Sequence, residues 1–191
     1  MSPRAGLDRA AVVRAAAALA DAEGPAAVSL ARVADELGVR TPSLYNHVAG
    51  LDGLRRELAL LGLRELTAEL EGAVAGTRGD AALVALADAY RAFAHRRPGL
   101  YAATLRAAAA GDAELAEVSA KLIELVLRAL TGRGLADDDA LHAVRGFRSV
   151  VHGFVALEAA GGFALALDRN ESYQRLVRTF IDGFRRAQAE D

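Results

Sequence analysis

The chain contains no cysteine. Disulfides, thiolate zinc sites and thiol nucleophiles are therefore excluded. Lysine is nearly absent, with Lys121 alone, so basic charge rests on arginine. An excess of either sign is also missing. The formal net charge is −2, and residues 1–56 hold seven Arg against four Asp and two Glu, a difference of +1. No broad basic field exists to hold a polyanion by charge alone, so a nucleic acid would have to be met by individually placed side chains. No apolar run approaches the ~20 residues that span a bilayer. The apolar stretch at residues 15–18 is bounded by Arg9, Arg14 and Asp21, which reads as an amphipathic helix and not as a signal sequence. A cytoplasmic protein without a membrane partner is expected.

Catalytic patterns are missing as well. The four histidines, His47, His95, His142 and His152, form no metal-binding pair at i, i+4. There is no Gly-x-Ser-x-Gly elbow and no glycine-rich phosphate loop behind a strand. Asp137, Asp138 and Asp139 are consecutive, so on a helix they point to different sides. At a helix start they serve the cap and the dipole better than a metal. No catalytic residue, metal or cofactor is expected.

What is present is apolar and helical in period. Hydrophobic residues make up 53% of 191, enough for a substantial core in two helical parts. Strand-like alternation is not evident. Residues 29–48 carry the densest signal. Ser29 stands at an N-cap position. Leu30, Val33, Ala34 and Leu37 follow at helical spacing, and Gly38 ends the helix where a positive φ is wanted. Val39 can plug the turn. Thr41 is expected to cap a second helix reaching Val48, with Pro42 in its first turn. Leu44 and Val48 face inward; Thr41, Ser43, Tyr45, Asn46 and His47 stay outside. That is the form of a helix-turn-helix DNA reader. Hydroxyls fix register on phosphates, Asn46 can pair with adenine, and Pro42 or Thr41 can touch a thymine methyl. The expected DNA-binding set is Ser29, Arg32, Arg40, Thr41, Pro42, Ser43, Tyr45, Asn46 and His47, with Arg32 and Arg40 toward phosphates. Arg4 and Arg9 could add an N-terminal arm.

These residues resemble the TetR family of one-component bacterial regulators. The likeness is carried by Ala15 to Gly24, a first helix ending Ala-Asp-Ala-Glu-Gly, and by Val28-Ser29-Leu30, Val33-Ala34, Leu37-Gly38-Val39, Leu44-Tyr45-Asn46-His47 and Leu54. It covers roughly the first 60 residues. It implies an all-α homodimer, with an N-terminal three-helix helix-turn-helix domain (1–50) and a C-terminal helical ligand-binding and dimerisation domain (51–191). The implied partners are a double-stranded DNA operator, a second copy of the chain and a small, mostly apolar effector. Two positions depart from the family. Val48 replaces a common Phe. Leu51 stands where many members have a phosphate-binding Lys, leaving Arg55 or Arg56 to substitute.

Beyond residue 50 the helices continue. Leu51, Leu54, Leu58, Leu61, Leu66 and Leu70 mark a long one fading at residues 72–79. Asp80 opens the next, His95, Arg96 and Arg97 close it, and Pro98 starts another that Gly111-Asp112 breaks. Residues 140–161 are apolar nearly all round, a sign of burial from several sides. One row there, Gly146, Ser149, Gly153, Ala156 and Ala160, holds only small residues. With the apolar face of the last helix, Tyr173, Val177, Phe180 and Phe184, it could close a four-helix bundle with a second copy or pack within one subunit. The family resemblance implies the dimer. Arg145, Arg148, His152 and Glu158 need polar partners, water or a cavity in that apolar region. Tyr90, Phe93, Tyr101, Leu105, Phe147, Val151 and His152 form the candidate ligand site, being aromatic and aliphatic with few polar groups. His152-Gly153 and Leu157-Glu158-Ala159-Ala160-Gly161-Gly162-Phe163 resemble the C-terminal signature of a TetR subgroup named for a Trp-His-Gly element. The Trp is absent here. The rival class is an all-helical small-molecule binding protein or enzyme, which leaves the reader helix unexplained.

Overall fold

The computed structural model describes the backbone of residues 7–131 and 137–187, with the side chains of 7–130 and 138–183. Among them every regular element is helical. The α-helices are α1 (Arg9–Glu23), α2 (Leu30–Leu37), α3 (Gly50–Val74), α4 (Gly79–Arg96), α5 (Pro98–Ala103), α6 (Ala113–Thr131), α7 (Asp137–Ala159) and α8 (Arg169–Ala187). Two 3₁₀ turns, Pro25–Ala27 and Thr41–Asn46, flank α2. No described helix is long and apolar enough to cross a membrane.

The chain forms two compact units. The first holds the residues up to Glu65 and Arg97–Val118; the second holds Leu66–Arg96 and the chain from Ser119 on. The division does not fall at residue 50/51, where the sequence places it. The physical reason is twofold: α3 runs unbroken through that point, and α5, far along the chain, packs on α1.

In the first unit α1 starts on Asp8, whose carboxylate accepts from Ala11 N at 2.6 Å. Its buried face is Val12, Val13, Ala16, Ala17, Leu19 and Ala20. Ala20 makes the closest approach to α5: a Cβ on Gly99 would overlap the carbonyl carbon and oxygen of Ala20. Asp21 secures the same junction. Its Oδ1 accepts from the backbone N–H of Gly99 at 2.8 Å and of Leu100 at 3.0 Å, capping α5 from another helix. Its Oδ2 accepts from Arg97 at 2.6 Å, and Arg97 also reaches Glu65 at 2.5 Å. A second cluster ties α3 to the start of α6. Arg56 donates to Asp112 at 2.6 and 2.7 Å and to Glu114 at 2.8 Å. The Asp112 and Glu114 carboxylates raise the Arg56 pKa above its ordinary value.

In the second unit α4, α7 and α8 pack on one another. Leu83, Leu86, Phe93, Val151 and Tyr173 are fully buried there. The Tyr173 hydroxyl donates to Ala87 O, and burial pushes its pKa up. Arg91 lies over the Tyr173 ring at 4.7 Å and gives Glu158 two hydrogen bonds at 2.6 and 2.9 Å. His95 Nε2 stands 2.8 Å from the same carboxylate, which can only accept, so that nitrogen carries a proton. Glu158, on α7, is therefore tied to α4; Arg145 and Arg148 are exposed.

The Arg91 hydrogen bonds hold Glu158 below the usual carboxylate pKa. The Glu158 side chain is 6% exposed and that of Arg91 15%. Glu158→Gln should cost about 2–3 kcal/mol at neutral pH, because it strands a largely buried guanidinium. A depressed folded pKa contributes stability above the unfolded value, about 4.3, and loses it as pH falls through the folded one. The melting difference between wild type and Glu158→Gln should therefore shrink below about pH 4. A gap of constant size from pH 7 down to pH 3 would rule this out.

Candidate nucleic-acid interface

The reader is built around the turn at Gly38. Ser29 is the N-cap of α2 and accepts from Arg32 N at 3.3 Å. Gly38 takes φ +64, a left-handed conformation that costs a residue with a Cβ more. Its N–H and that of Val39 return to the last carbonyls of α2, Val39 N reaching Ala34 O at 3.0 Å. The chain then runs extended through Arg40 into the second element.

That element differs from expectation. It is a 3₁₀ turn over Thr41–Asn46, not an α-helix to Val48, and Arg40, not Thr41, holds the cap position without a side-chain bond. Pro42 supplies no N–H, and the bonds close at i+3, as in Ser43 N to Arg40 O at 2.9 Å. With three residues per turn, positions 42 and 45 share one face, as do 43 and 46. Leu44 is fully buried and Val48 6% exposed, so both are inward as expected. Tyr45 is 61% exposed, a costly position for an aromatic ring with nothing to cover it. Arg40, Pro42 and Asn46 are exposed; Thr41, Ser43 and His47 are half-buried. None of Arg40, Thr41, Ser43, Tyr45, Asn46 and His47 has a side-chain hydrogen bond among the described residues.

Ser29 and Arg32 are used locally. The Ser29 hydroxyl is spent on the cap. Arg32 grips Glu23 with two hydrogen bonds at 2.6 and 2.7 Å, which holds that carboxyl below its usual pKa. The pair is exposed, so giving up Glu23 for a phosphate costs little. Arg9 pairs with Glu57. Arg4 lies outside the described residues. Of the two substitutes for a cation at Leu51, Arg56 is taken by Asp112 and Glu114, and half-exposed Arg55 has only Asp52 at 3.6 Å.

The candidate ligand residues are divided between the two units. Tyr101 and Leu105 lie in the first unit, the others in the second. Tyr90, Phe93, Phe147 and Val151 are at most 5% exposed, and Leu105 is 41% exposed. One cavity in the second unit, about 630 Å³, is lined by none of them; it lies between the end of α3, the start of α4 and α6, with Val74, Ala82 and Leu125 in its walls beside the charged Glu71, Arg78 and Arg128.

The candidate dimer residues divide as well. Tyr173 and Val177 are 0% and 2% exposed within this one chain, so they are core of the subunit and not an outer face. The pull comes from Ala87 and Arg91, which give the Tyr173 hydroxyl and ring their partners. Gly146 is covered by Phe180, whose ring also meets Phe147 at 6.2 Å. Ser149, Ala156 and Ala160 are exposed, and a Cβ at Gly153 would meet nothing within 4 Å. The Phe184 side chain lies outside the described residues. No group of three metal-ligating side chains occurs among the described residues.

Residues 12–58 match the family model for bacterial regulatory proteins of the TetR family, and residues 83–180 that for the tetracyclin repressor-like C-terminal domain. The chain is 42% identical over 184 residues to the HTH-type transcriptional regulator YobS of Bacillus subtilis, covering 96% of this chain and 95% of that one. It is 35% identical over 156 residues to the HTH-type transcriptional regulator Rv0681 of Mycobacterium tuberculosis, covering 81% and 72%. Among solved structures it resembles a protein of unknown function from Rhodococcus sp. RHA1, with TM-score 0.80, 26% identity and 96% and 98% coverage. The TetR family regulator PfmR of Thermus thermophilus shares the fold, with TM-score 0.66, 17% identity and 92% and 96% coverage. With the capped helix, the left-handed Gly38 turn and the bare polar row around Tyr45 beside these matches, the chain belongs to the TetR family and is a DNA-binding transcriptional regulator.

Proposed function

We propose that the protein is a homodimeric repressor that holds a pseudo-palindromic operator and leaves it when a small, mostly apolar effector binds. The carrying observation is the outward row Pro42, Ser43, Tyr45 and Asn46, exposed or half-exposed and without internal partners. Two copies related by a two-fold axis set two such rows one helical turn of DNA apart. Tyr45 and Arg40 supply backbone contacts, with Arg32 joining after release from Glu23. Ser43 and Asn46 read base edges.

The effector belongs to the second unit, where a cavity of about 630 Å³ falls within the usual size range of small-molecule sites. It releases DNA only by binding the DNA-incompetent state more tightly, and operator must then weaken effector binding by the same factor. The exposed small row of α7 is the face for the second copy. Cytoplasmic placement follows from the DNA partner.

An operator selected from random duplexes gives the test. Tyr45→Ala should weaken binding to many sequences by about 1–3 kcal/mol, as for other hydrogen bonds to charged groups. Asn46→Ala should instead narrow the gap between operator and random DNA. Gel-shift titrations in which neither change alters binding would remove this row from the interface. A thermal-shift library screen, followed by titration of hits with and without operator, tests the switch. Hits that bind equally in both would leave a pocket without release.

A further inference from the structure

A small cavity in the first unit takes no part in the reading above. It opens where the end of α1, the Pro25–Ala27 turn, α3 and α5 meet, and holds about 190 Å³. Val28 and Leu58, both buried, form its floor, and Ala102 and Ala103 its side. Two guanidinium groups, Arg55 and Arg106, border the same space, and no carboxylate lines it.

The acidic groups nearby are turned to other work. Asp21 receives Arg97 and the Gly99 and Leu100 amides, Glu23 receives Arg32, and Glu57 receives Arg9 and Arg56. Asp52, 82% exposed, stands 3.6 Å from Arg55, a weak solvated pair. Asp112 is bonded to Arg56 and acts on Arg106 only through space. The Arg106 side chain makes no hydrogen bond or ion pair among the described residues. Two exposed cations therefore border an apolar recess, Arg55 beside only the solvated Asp52 and Arg106 with no directly bonded carboxylate. A guanidinium suits a carboxylate, because its parallel N–H groups meet both oxygens. The recess suits a compact apolar body, since roughly 150 Å³ is enough to hold benzene.

We propose that this cavity binds a small organic carboxylate, its charge on Arg55 and Arg106 and its apolar body on Val28 and Leu58. The site is separate from the effector cavity of the second unit and does not depend on it. Its place gives it leverage. Val28 is the residue before the Ser29 cap, and Gly99 in the same wall is where α5 touches α1. An occupant rests on the elements that orient the reader.

Benzoate is the probe and benzamide its uncharged counterpart, titrated calorimetrically into the full chain and followed by amide NMR shifts. Benzoate should bind, with shifts centred on Val28, Leu58 and Ala102, and benzamide about tenfold more weakly. Arg106→Gln should weaken benzoate about tenfold. Ala103→Leu, which fills the recess, should abolish binding, and Arg128→Gln in the second-unit cavity should leave it unchanged. Equal binding of the two probes would overturn the proposal. So would affinity for benzoate untouched by both Arg106→Gln and Ala103→Leu, shifts confined to the second unit, or no binding at all. Because Arg106 is exposed, its variant reports even if Ala103→Leu fails to fold.

Discussion

Gly99→Ala is expected to destabilise the first unit by about 3–4 kcal/mol and to cost most of the operator affinity. The new methyl would overlap main-chain atoms of Ala20, which no rotamer change can move aside. Helix α5 must lift from α1, and both Asp21 bonds to the Gly99 and Leu100 amides go with it. Adding Ala20→Gly should not rescue the variant, since the collision is with the Ala20 carbonyl as well as its methyl. Gly72→Ala is the control. It sits in α3, and its Cβ would meet nothing within 4 Å, so the change should be neutral or stabilising by up to about 1 kcal/mol. Thermal melts and operator titrations read both effects. A loss of about 3 kcal/mol corresponds to roughly 6–12 °C for a chain of this size. A Gly99→Ala protein that melts with wild type would show that the two helices separate without loss.

This junction also shows what the sequence concealed. The α2 cap, the Gly38 turn and the inward Leu44 and Val48 were legible, because each depends on neighbours within a few residues. Asp21 capping α5 was not. Its partners lie 78 and 79 residues away and leave no periodic trace. The same holds for Glu158, placed among Arg145, Arg148 and His152 by sequence but drawn to Arg91 and His95, 67 and 63 residues distant. Tyr173 illustrates a different limit. Helical spacing puts it on an apolar face without saying which surface covers that face; here it is α4, through Ala87 and Arg91. Residue type alone groups Tyr101 and Leu105 with Phe147, whereas the chain puts them in different units. The position of the reader's second element is legible in Thr41, Pro42 and Leu44, but its 3₁₀ form depends on bonding that composition does not encode.

On the proposal that a second copy covers α7, Gly153→Arg should leave the subunit folded and split the dimer. The two effects separate at this position. Within one chain nothing lies within 4 Å of the new Cβ, so the arginine meets no internal obstacle, and arginine suits a helix interior better than glycine by up to about 1 kcal/mol. Against a second helix, however, a long cation replaces the smallest residue of a close-packed row, in the middle of the patch that Ser149 and Ala156 extend. Phe180→Glu separates them less well, since Phe180 also covers Gly146 and meets Phe147 in its own subunit. A dimer grips two half-sites at once, so a monomer should lose roughly 10²–10⁴ in operator affinity without any change at Tyr45. Light scattering behind a sizing column gives the mass, and the melting curve confirms the fold. Wild-type protein running as a monomer at micromolar concentration would refute the dimer. If the wild type is dimeric and both Gly153→Arg and Ala156→Arg remain so, α7 is not the face that the second copy covers, and the open row must serve the subunit in another way.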